Sequence, residues 1–398
     1  MKLQHCIAMT LVCAACTDAL ADSADTGTWT ANLRLRHEAV NDDAFLRSAA
    51  ANTARLRLGW ERGAGAGFSF GLEGEGVAEL NDRFNSGANG QTSYPGVADA
   101  RALELNQAWI GWRGEHGGAK LGRQRIVLDN QRFIGNVGWR QNEQTFDALA
   151  LDARPSEAIN LRYYWLDRVH RVAGDKAINP LARERRLHAH LGNASWTLPL
   201  GTLVGYAYLV EDRDVATAST RTLGLRWTGS RALGKTTLGW TLEHAAQDDH
   251  AENPNVVDAD YWFGEAGLGW RGVTWKLGWE RLGGNGTTAF QTPLATLHAF
   301  NGWADKFPVT PLNGLDDRYV LATGKLGTGR LQDKLDWTVA WHDYRADRGG
   351  ADYGQEWNAS LSFPLPAGLS GLVKVAEYRS QGFARDTTKV WLQLEWKY

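Results

Sequence analysis

The chain is poor in cysteine and in long apolar runs, and each shortage excludes a class of protein. Its three cysteines, Cys6, Cys13 and Cys16, lie near the N-terminus of 398 residues, so the remainder cannot be a disulfide scaffold. A net charge of −2 gives no bulk attraction to nucleic acid, and we predict no nucleic-acid partner. No later stretch approaches the ~20 apolar residues of a membrane-spanning helix, so a membrane-embedded form has to be a closed β-barrel.

The N-terminal segment has the pattern of a secretory signal peptide. Lys2 precedes an apolar stretch over residues 6–16, and Ala19-Leu20-Ala21 forms an A-x-A cleavage pattern. We therefore predict a signal peptide over residues 1–21 and one mature domain over residues 22–398. The alternative is a lipoprotein acylated at Cys16, although the position three residues earlier is a cysteine rather than an aliphatic residue.

Aromatic residues and glycine are abundant, and apolar and polar residues alternate. The chain has 19 Trp and 45 Gly but only 10 Pro. In "ARLRLGWE", for example, Leu56, Leu58 and Trp60 alternate with Arg55 and Arg57. Since side chains on a β-strand point to opposite faces in turn, about 18 such segments predict an all-β protein.

The connections between these segments are of two kinds. Long ones over residues 81–100, 127–143, 168–184, 246–258 and 283–317 lie between short ones such as 62–67, 114–118 and 271–272. Short turns at one end and long loops at the other are typical of outer-membrane barrels. We predict a transmembrane antiparallel β-barrel of about 18 strands, with an aqueous channel, in the bacterial outer membrane.

The C-terminal strand carries a second signal of this class. In "KVWLQLEWKY" one apolar face runs from Val390 to the terminal Tyr398. An aromatic last residue on an alternating strand resembles the recognition signal of outer-membrane barrels. The predicted partners are therefore outer-membrane lipid and, through this strand, the barrel-assembly machinery.

Three short motifs suggest chemistry that their context does not support. "GFSFG" (67–71) matches a nucleophile elbow, but the alternation continues through Ser69, and "GLGWRG" (267–272) is followed by a strand instead of the helix that nucleotide binding needs. His188 and His190 share one strand face, where solvated channel histidines are favoured over a metal pair. We predict no catalytic residues, no metal and no cofactor.

Arginines on the polar faces of the strands are the strongest functional signal. Guanidinium groups stay charged and bind carboxylates in a bidentate manner, so a ladder of them inside a pore selects anions. In the alternative, Glu73 and Glu75 neutralise the first four. The candidate pore-lining, substrate-binding residues are Arg34, Arg36, Arg55, Arg57, Arg113, Arg123, Arg125, Arg162 and Arg226.

Two features of the pore are predicted from single segments. Strict alternation places Arg123 and Arg125 on the face of Leu121, so Gly122 has to permit a bend or bulge if both arginines face water. The loop 283–317 carries many large apolar residues, which predicts that it constricts or covers the channel. An external cap on neighbouring loops is the alternative.

Three stretches resemble the alginate-export family of outer-membrane proteins. They are "ELNQAWIGW" (104–112), "LGRQRIVLDNQRFIGNVGWRQNEQTFDAL" (121–149) and "FQTPLATLHAFNGWADKF" (290–307). The resemblance covers most of the mature chain and implies an 18-stranded barrel that passes anionic molecules. It also implies that the "GRQR" run, here Arg123 to Arg125, lines an electropositive path.

Two departures from the alginate exporter concern the substrate. This chain is shorter, and "PLPAG" (364–368) stands where the exporter has a long periplasmic plug loop. The expected function is a passive channel for anionic solutes, with uronate-containing saccharides as one option. The alternatives are an outer-membrane hydrolase and a closed structural or adhesive barrel.

Overall fold

The computed structural model describes residues 27–327 and 334–398, so the predicted signal peptide and Cys16 lie outside the described residues. Nearly all of the regular structure is β-strand. The strands are β1 (Thr28–Asp42), β2 (Ala49–Gly65), β3 (Phe68–Glu79), β4 (Ala102–Arg113), β5 (Gly117–Gln124), β6 (Thr145–Ser156), β7 (Ile159–His170), β8 (Glu184–Leu198), β9 (Gly201–Asp212), β10 (Thr220–Leu233), β11 (Thr236–Asp249), β12 (Asp258–Trp270), β13 (Val273–Leu282), β14 (Leu315–Leu326), β15 (Leu335–Arg345), β16 (Asp352–Pro364), β17 (Leu369–Ser380) and β18 (Thr387–Lys397).

The strands form one closed antiparallel barrel. Each strand pairs with its neighbours in sequence, and β18 pairs with β1 in a register that sets Trp396 opposite Leu33. Just beyond β18, Tyr398 exchanges backbone hydrogen bonds with Ala31 of β1 at 2.8 and 3.1 Å. Closure leaves none of the 18 described strands with an unpaired edge, as a lipid environment requires. The predicted 18-stranded barrel is confirmed.

Alternation divides each strand between an outer apolar face and an inner polar face. On β2, Leu58 is 52% exposed on the outer face, whereas Arg55 is 1% exposed inside the barrel. On β18, Leu392 and Leu394 face outward and Trp391 is fully buried inside. The outer face of these strands therefore suits lipid, and the charged side chain of Arg55 lies in the interior.

The two ends of the barrel differ in the length of their connections. Two-residue turns such as 66–67 and 271–272 join strands at one end, whereas the connections 80–101, 125–144, 171–183 and 283–314 all lie at the other. Among residues 27–327 and 334–398, no helix is long and apolar enough to cross a membrane. The predicted segregation of short and long connections is confirmed.

Candidate channel and its constriction

Residues 125–144, which we call the first inserted segment, cross the interior of the barrel. Phe133 packs against Tyr206 of β9 at 5.4 Å between ring centroids, and Trp139 packs edge-on against Trp391 of β18 at 5.9 Å. In a closed barrel of 18 strands, β9 and β18 lie on opposite walls. A segment of this length can reach both walls only through the lumen.

Residues 283–314, the second inserted segment, also lie inside the barrel. Phe290 contacts Tyr261 of β12, with ring centroids 5.5 Å apart, and Phe307 contacts Tyr344 of β15 at 4.7 Å. The backbone N–H of Ala304 donates to the Glu356 carboxylate at 2.8 Å. Phe290, Leu294 and Phe307 are thus buried inside the barrel, as predicted, and Leu297, Phe300 and Trp303 are half-buried. The external-cap alternative is wrong.

The two inserted segments hold each other in place. Ile134 and Leu294 form an isolated parallel β-bridge, and the backbone N–H of Val137 donates to Thr296 Oγ1 at 3.0 Å. Arg140 of the first segment pairs with Asp305 of the second at 3.1 Å. Because both segments share these contacts, the constriction is one packed unit.

Four arginines of β1 and β2 donate hydrogen bonds to backbone carbonyls of the first inserted segment. Arg34 donates to the carbonyls of Gly138, Trp139 and Arg140 at 3.2–3.3 Å. Arg36 donates to the Trp139 carbonyl at 2.6 Å and lies over its ring. Both Arg55 and Arg57 donate to the carbonyl of Gln141. These carbonyls belong to an irregular segment that does not pair with a strand. The guanidinium groups therefore supply their hydrogen-bond donors.

The same four arginines are also neutralised by carboxylates. Arg57 pairs with Glu75, as the alternative interpretation of the sequence proposed. The other three depend on partners that are distant in sequence. Arg34 and Arg55 share Glu395 of β18, at 3.1 and 3.4 Å, and Arg36 pairs with Asp99, at 3.4 Å. Arg34, Arg36 and Arg55 are therefore largely buried supports of the constriction.

A second set of inward arginines faces the open part of the lumen. The side chain of Arg125 is 29% exposed, whereas its partners Glu73 and Glu143 are 12% and 1% exposed. Arg162 is 24% exposed and its partner Asp129 is 13% exposed. In these pairs the cation lies toward the water-filled space, and the carboxylate lies behind it.

The same arrangement recurs toward the short-turn end of the barrel. Arg113 pairs with Asp152 and is the more exposed of the two. Arg226 pairs with the buried Glu243 near the middle of the wall. Lys276, which the sequence did not single out, pairs with Glu265 at 2.9 Å and is again the more exposed partner.

The predicted inward position of Arg123 is wrong. The β4–β5 register runs unbroken through residues 118–123, so Arg123 stays on the outer face of Leu121 and opposite Ala108. Although Gly122 has a φ of +124°, it introduces no bulge, and the chain turns inward only after β5 ends. Arg123 pairs with Asp147 at 2.8 Å at the long-loop end of the strand, where the cost of a charge on the outer face is small.

The histidine pair also lies outside the channel. Leu187, Ala189 and Leu191, which alternate with His188 and His190, are buried in the interior cluster. The histidines therefore face outward, where His190 hydrogen-bonds to the hydroxyl of Tyr163 at 2.7 Å. In the described part of the chain, no cluster of three or more His, Cys, Asp or Glu side chains has the geometry of a metal site.

Several residues of the constriction were missed in the sequence. Arg132 and Arg140 lie in the first inserted segment and are buried with carboxylate partners from β13 and β1. Lys374 and Lys389 reach the constriction from β17 and β18. The available signal was charged residues within apolar stretches, but it could not indicate the distant partners.

A closed 18-stranded barrel with an apolar outer face, a charged inner face and a lumen narrowed by inserted segments defines a porin of the bacterial outer membrane. Within that class, the family model described as Alginate export matches residues 28–283, more than half of the chain. The protein belongs to the alginate-export family. No curated protein matches the sequence.

Solved porins share the fold at low sequence identity. Pseudomonas aeruginosa OpdK, in a crystal structure with vanillate, is 17% identical with a TM-score of 0.71, over 93% of this chain and 98% of that chain. Acinetobacter baumannii OccAB4 is 12% identical with a TM-score of 0.73, over 94% of this chain and 100% of that chain. P. aeruginosa OccK3 (OpdO) is 18% identical with a TM-score of 0.68, over 94% and 97%. These likenesses concern the barrel architecture.

Proposed function

We propose that this porin passes small anionic solutes across the outer membrane by diffusion. The observation that supports this proposal most directly is the orientation of the lumenal ion pairs, in which Arg113, Arg125, Arg162 and Lys276 are each more exposed than their carboxylate partners. A passing ion therefore meets the positive end of each pair first. Within a Debye length, about 8–10 Å at physiological salt, such charges act on it.

The inner wall formed by β9 to β13 favours solutes that also carry hydroxyl groups. A cavity of about 550 Å³ opens at the short-turn end between β9 and β13, and Lys276 and Glu265 line it together with hydroxyl side chains. Hydroxyls both donate and accept hydrogen bonds, as sugar hydroxyls do. A uronate-containing saccharide is the finer substrate that we propose. The hydroxyl residues are Thr202, Thr228, Ser230, Thr237, Thr241 and Thr274.

Arg125→Gln should move the reversal potential of the channel toward cation selectivity in a salt gradient. The substitution removes the exposed cation and leaves Glu73 and Glu143 behind. The shift should be largest at low salt, where screening is weakest. Arg123→Gln is the matched control because it removes the same charge two residues away on the outer face. Equal shifts from the two variants, or none from either, would contradict the anion path.

The same bilayers test the saccharide part of the proposal. A short uronate oligosaccharide on one side should interrupt the chloride current more often than a neutral oligosaccharide of equal length. If both oligosaccharides interrupt the current equally often, the saccharide is not the substrate. The proposal of anion selectivity is unaffected by that result.

We also propose that the C-terminal strand engages the barrel-assembly machinery. Tyr398 is exposed on the outer face and stacks on Trp396 at 6.1 Å between ring centroids. Tyr398→Ala keeps the backbone hydrogen bonds to Ala31, yet it should lower the amount of heat-modifiable barrel in outer-membrane fractions. Trp29→Ala, an exposed aromatic on the adjacent strand, is the control. Normal assembly of the Tyr398 variant would count against recognition of the terminal residue.

We propose no catalytic role for the channel. A nucleophile elbow requires a strand, a turn and a helix, whereas Ser69 lies within β3. The outer-membrane hydrolase is therefore disfavoured at this motif. A closed structural barrel remains the rival, and absence of any conductance from folded protein in planar bilayers would favour it.

A further inference from the structure

A buried lysine connects the inner wall to both inserted segments. Lys374 of β17 points into a cage of tryptophan rings. Its Nζ lies 3.8 Å from the ring centroid of Trp303 in the second segment and 4.2 Å from that of Trp139 in the first. The ring of Trp391 on β18 lies 5.4 Å away. Cation–π contacts of a desolvated ammonium are among the stronger ones of this kind.

His298 provides the hydrogen-bond acceptor for this lysine. Lys374 Nζ lies 2.8 Å from His298 Nε2, and His298 Nδ1 lies 2.7 Å from a carboxylate oxygen of Asp305. With Lys374 as an ammonium, which only donates, Nε2 is the accepting nitrogen and Nδ1 carries the proton that it donates to Asp305. The ring also stacks on Trp139, with centroids 4.7 Å apart. A second proton on His298 would remove the acceptor and place a cation against the ammonium.

We propose that Lys374, His298 and the rings of Trp139 and Trp303 form a proton-operated latch that keeps the two inserted segments against the wall and releases them on acidification. This regulation rests on the proposed channel function, because releasing the segments widens the path that solutes take. The latch is a two-state element because its closed form requires neutral His298, whereas its open form gives the ring access to water.

Burial opposes protonation of the closed form, and the charges around the latch act in both directions. Asp305 attracts a second proton, but Lys374 and Arg140 repel it, and Lys389 already neutralises Asp305 at 2.8 Å. Arg140 is itself paired with Glu38 of β1 at 3.1 Å. Burial is the largest effect, and together with these cations it lowers the pKa of His298 to about 3.

The sign of the pH dependence follows from this difference between the two forms. A released His298 has an ordinary pKa near 6.5. The open form therefore binds more protons than the closed form at every pH between about 6.5 and 3. The closed form is favoured fully above this window and loses that advantage as the pH falls through it.

The test compares wild type with His298→Gln at neutral pH and at about pH 4.5, inside the window in which the two forms differ in bound protons. The glutamine carbonyl can accept from Lys374 but does not titrate. Single-channel conductance and hydrogen exchange of peptides within 283–314 are the two readouts. His116→Gln, on an exposed short turn, is the control. Hydrogen exchange does not depend on which solute passes, so it separates failure of the latch from failure of the anion path.

Acid should raise conductance several-fold in wild type and in the His116 variant, but not in the His298 variant. Hydrogen exchange, divided by the intrinsic amide exchange rate at each pH, should change in the same way. A second variant, Lys374→Met, removes the ammonium and should move the midpoint of the acid response toward neutral pH. The latch is overturned if His298→Gln responds to acid like wild type, or if wild type shows no response. An unchanged midpoint in the lysine variant would overturn it as well.

Discussion

Deleting residues 288–310 should raise the single-channel conductance of the porin several-fold. The deletion removes the part of the second inserted segment that fills the lumen. The remaining ends are already close, since the backbone N–H of Gly286 donates to the Leu312 carbonyl at 2.9 Å. The shortened connection therefore needs no rearrangement of β13 or β14. Conductance follows because the cross-section available to ions increases. The apolar side chains removed are Phe290, Leu294, Leu297, Phe300, Trp303 and Phe307.

The control for this experiment is a deletion in a long connection that does not enter the lumen. Residues 251–255 lie in the connection between β11 and β12 and are mostly exposed, so their removal should leave conductance unchanged. A gel shift between boiled and unboiled protein verifies that each variant is a folded barrel. Unaltered conductance in a folded 288–310 deletion would mean that the first inserted segment alone sets the constriction.

Arg132→Met should cost about 3–5 kcal/mol of unfolding free energy, because it leaves a buried carboxylate without its partner. Arg132 and Glu280 are 2% and 3% exposed and lie 2.6 Å apart, and Arg132 also donates to Asn301 of the second segment at 3.1 Å. Glu280 raises the pKa of Arg132 against the effect of burial, which reflects the same attraction. Urea unfolding in lipid vesicles measures the loss.

A double variant separates the charge from the packing. Arg132→Met with Glu280→Gln removes both charges and should recover much of the lost free energy, as for other buried pairs. Arg221→Met is the control, since Arg221 and Asp248 form a half-exposed pair on the outer face that should contribute under about 1 kcal/mol. If the Arg132 and Arg221 variants lose similar amounts of unfolding free energy, the buried pair stabilises the protein no more than the exposed pair does.

Both predictions concern the constriction, which the two inserted segments form together. The deletion removes the second inserted segment, whereas Arg132→Met weakens the anchor of the first segment on β13. Both segments lie between opposite walls of the barrel, so loss of either changes the lumen and leaves the strand register intact. A porin built in this way can vary its constriction without altering the barrel that carries it.

The sequence by itself determined the barrel. Alternation such as that of Leu56, Leu58 and Trp60 is a local property, and a strand that must face lipid and water shows it in any context. The same holds for the short turns and for the apolar face of β18 that ends at Tyr398. Even the content of the loop 283–317 predicted burial, because six large apolar side chains are costly to leave in water.

Only the tertiary structure decided what the charged residues do. Arg123 and Arg125 are two residues apart, yet one lies outside and one inside, because β5 ends between them and the chain turns into the lumen. Arg34 and Arg55 meet Glu395, more than 300 residues away, only because the barrel closes between β1 and β18. Partners brought together by closure and by loop insertion leave no periodic trace in a sequence, so which arginines support the constriction and which face the solute emerges only when the chain is folded.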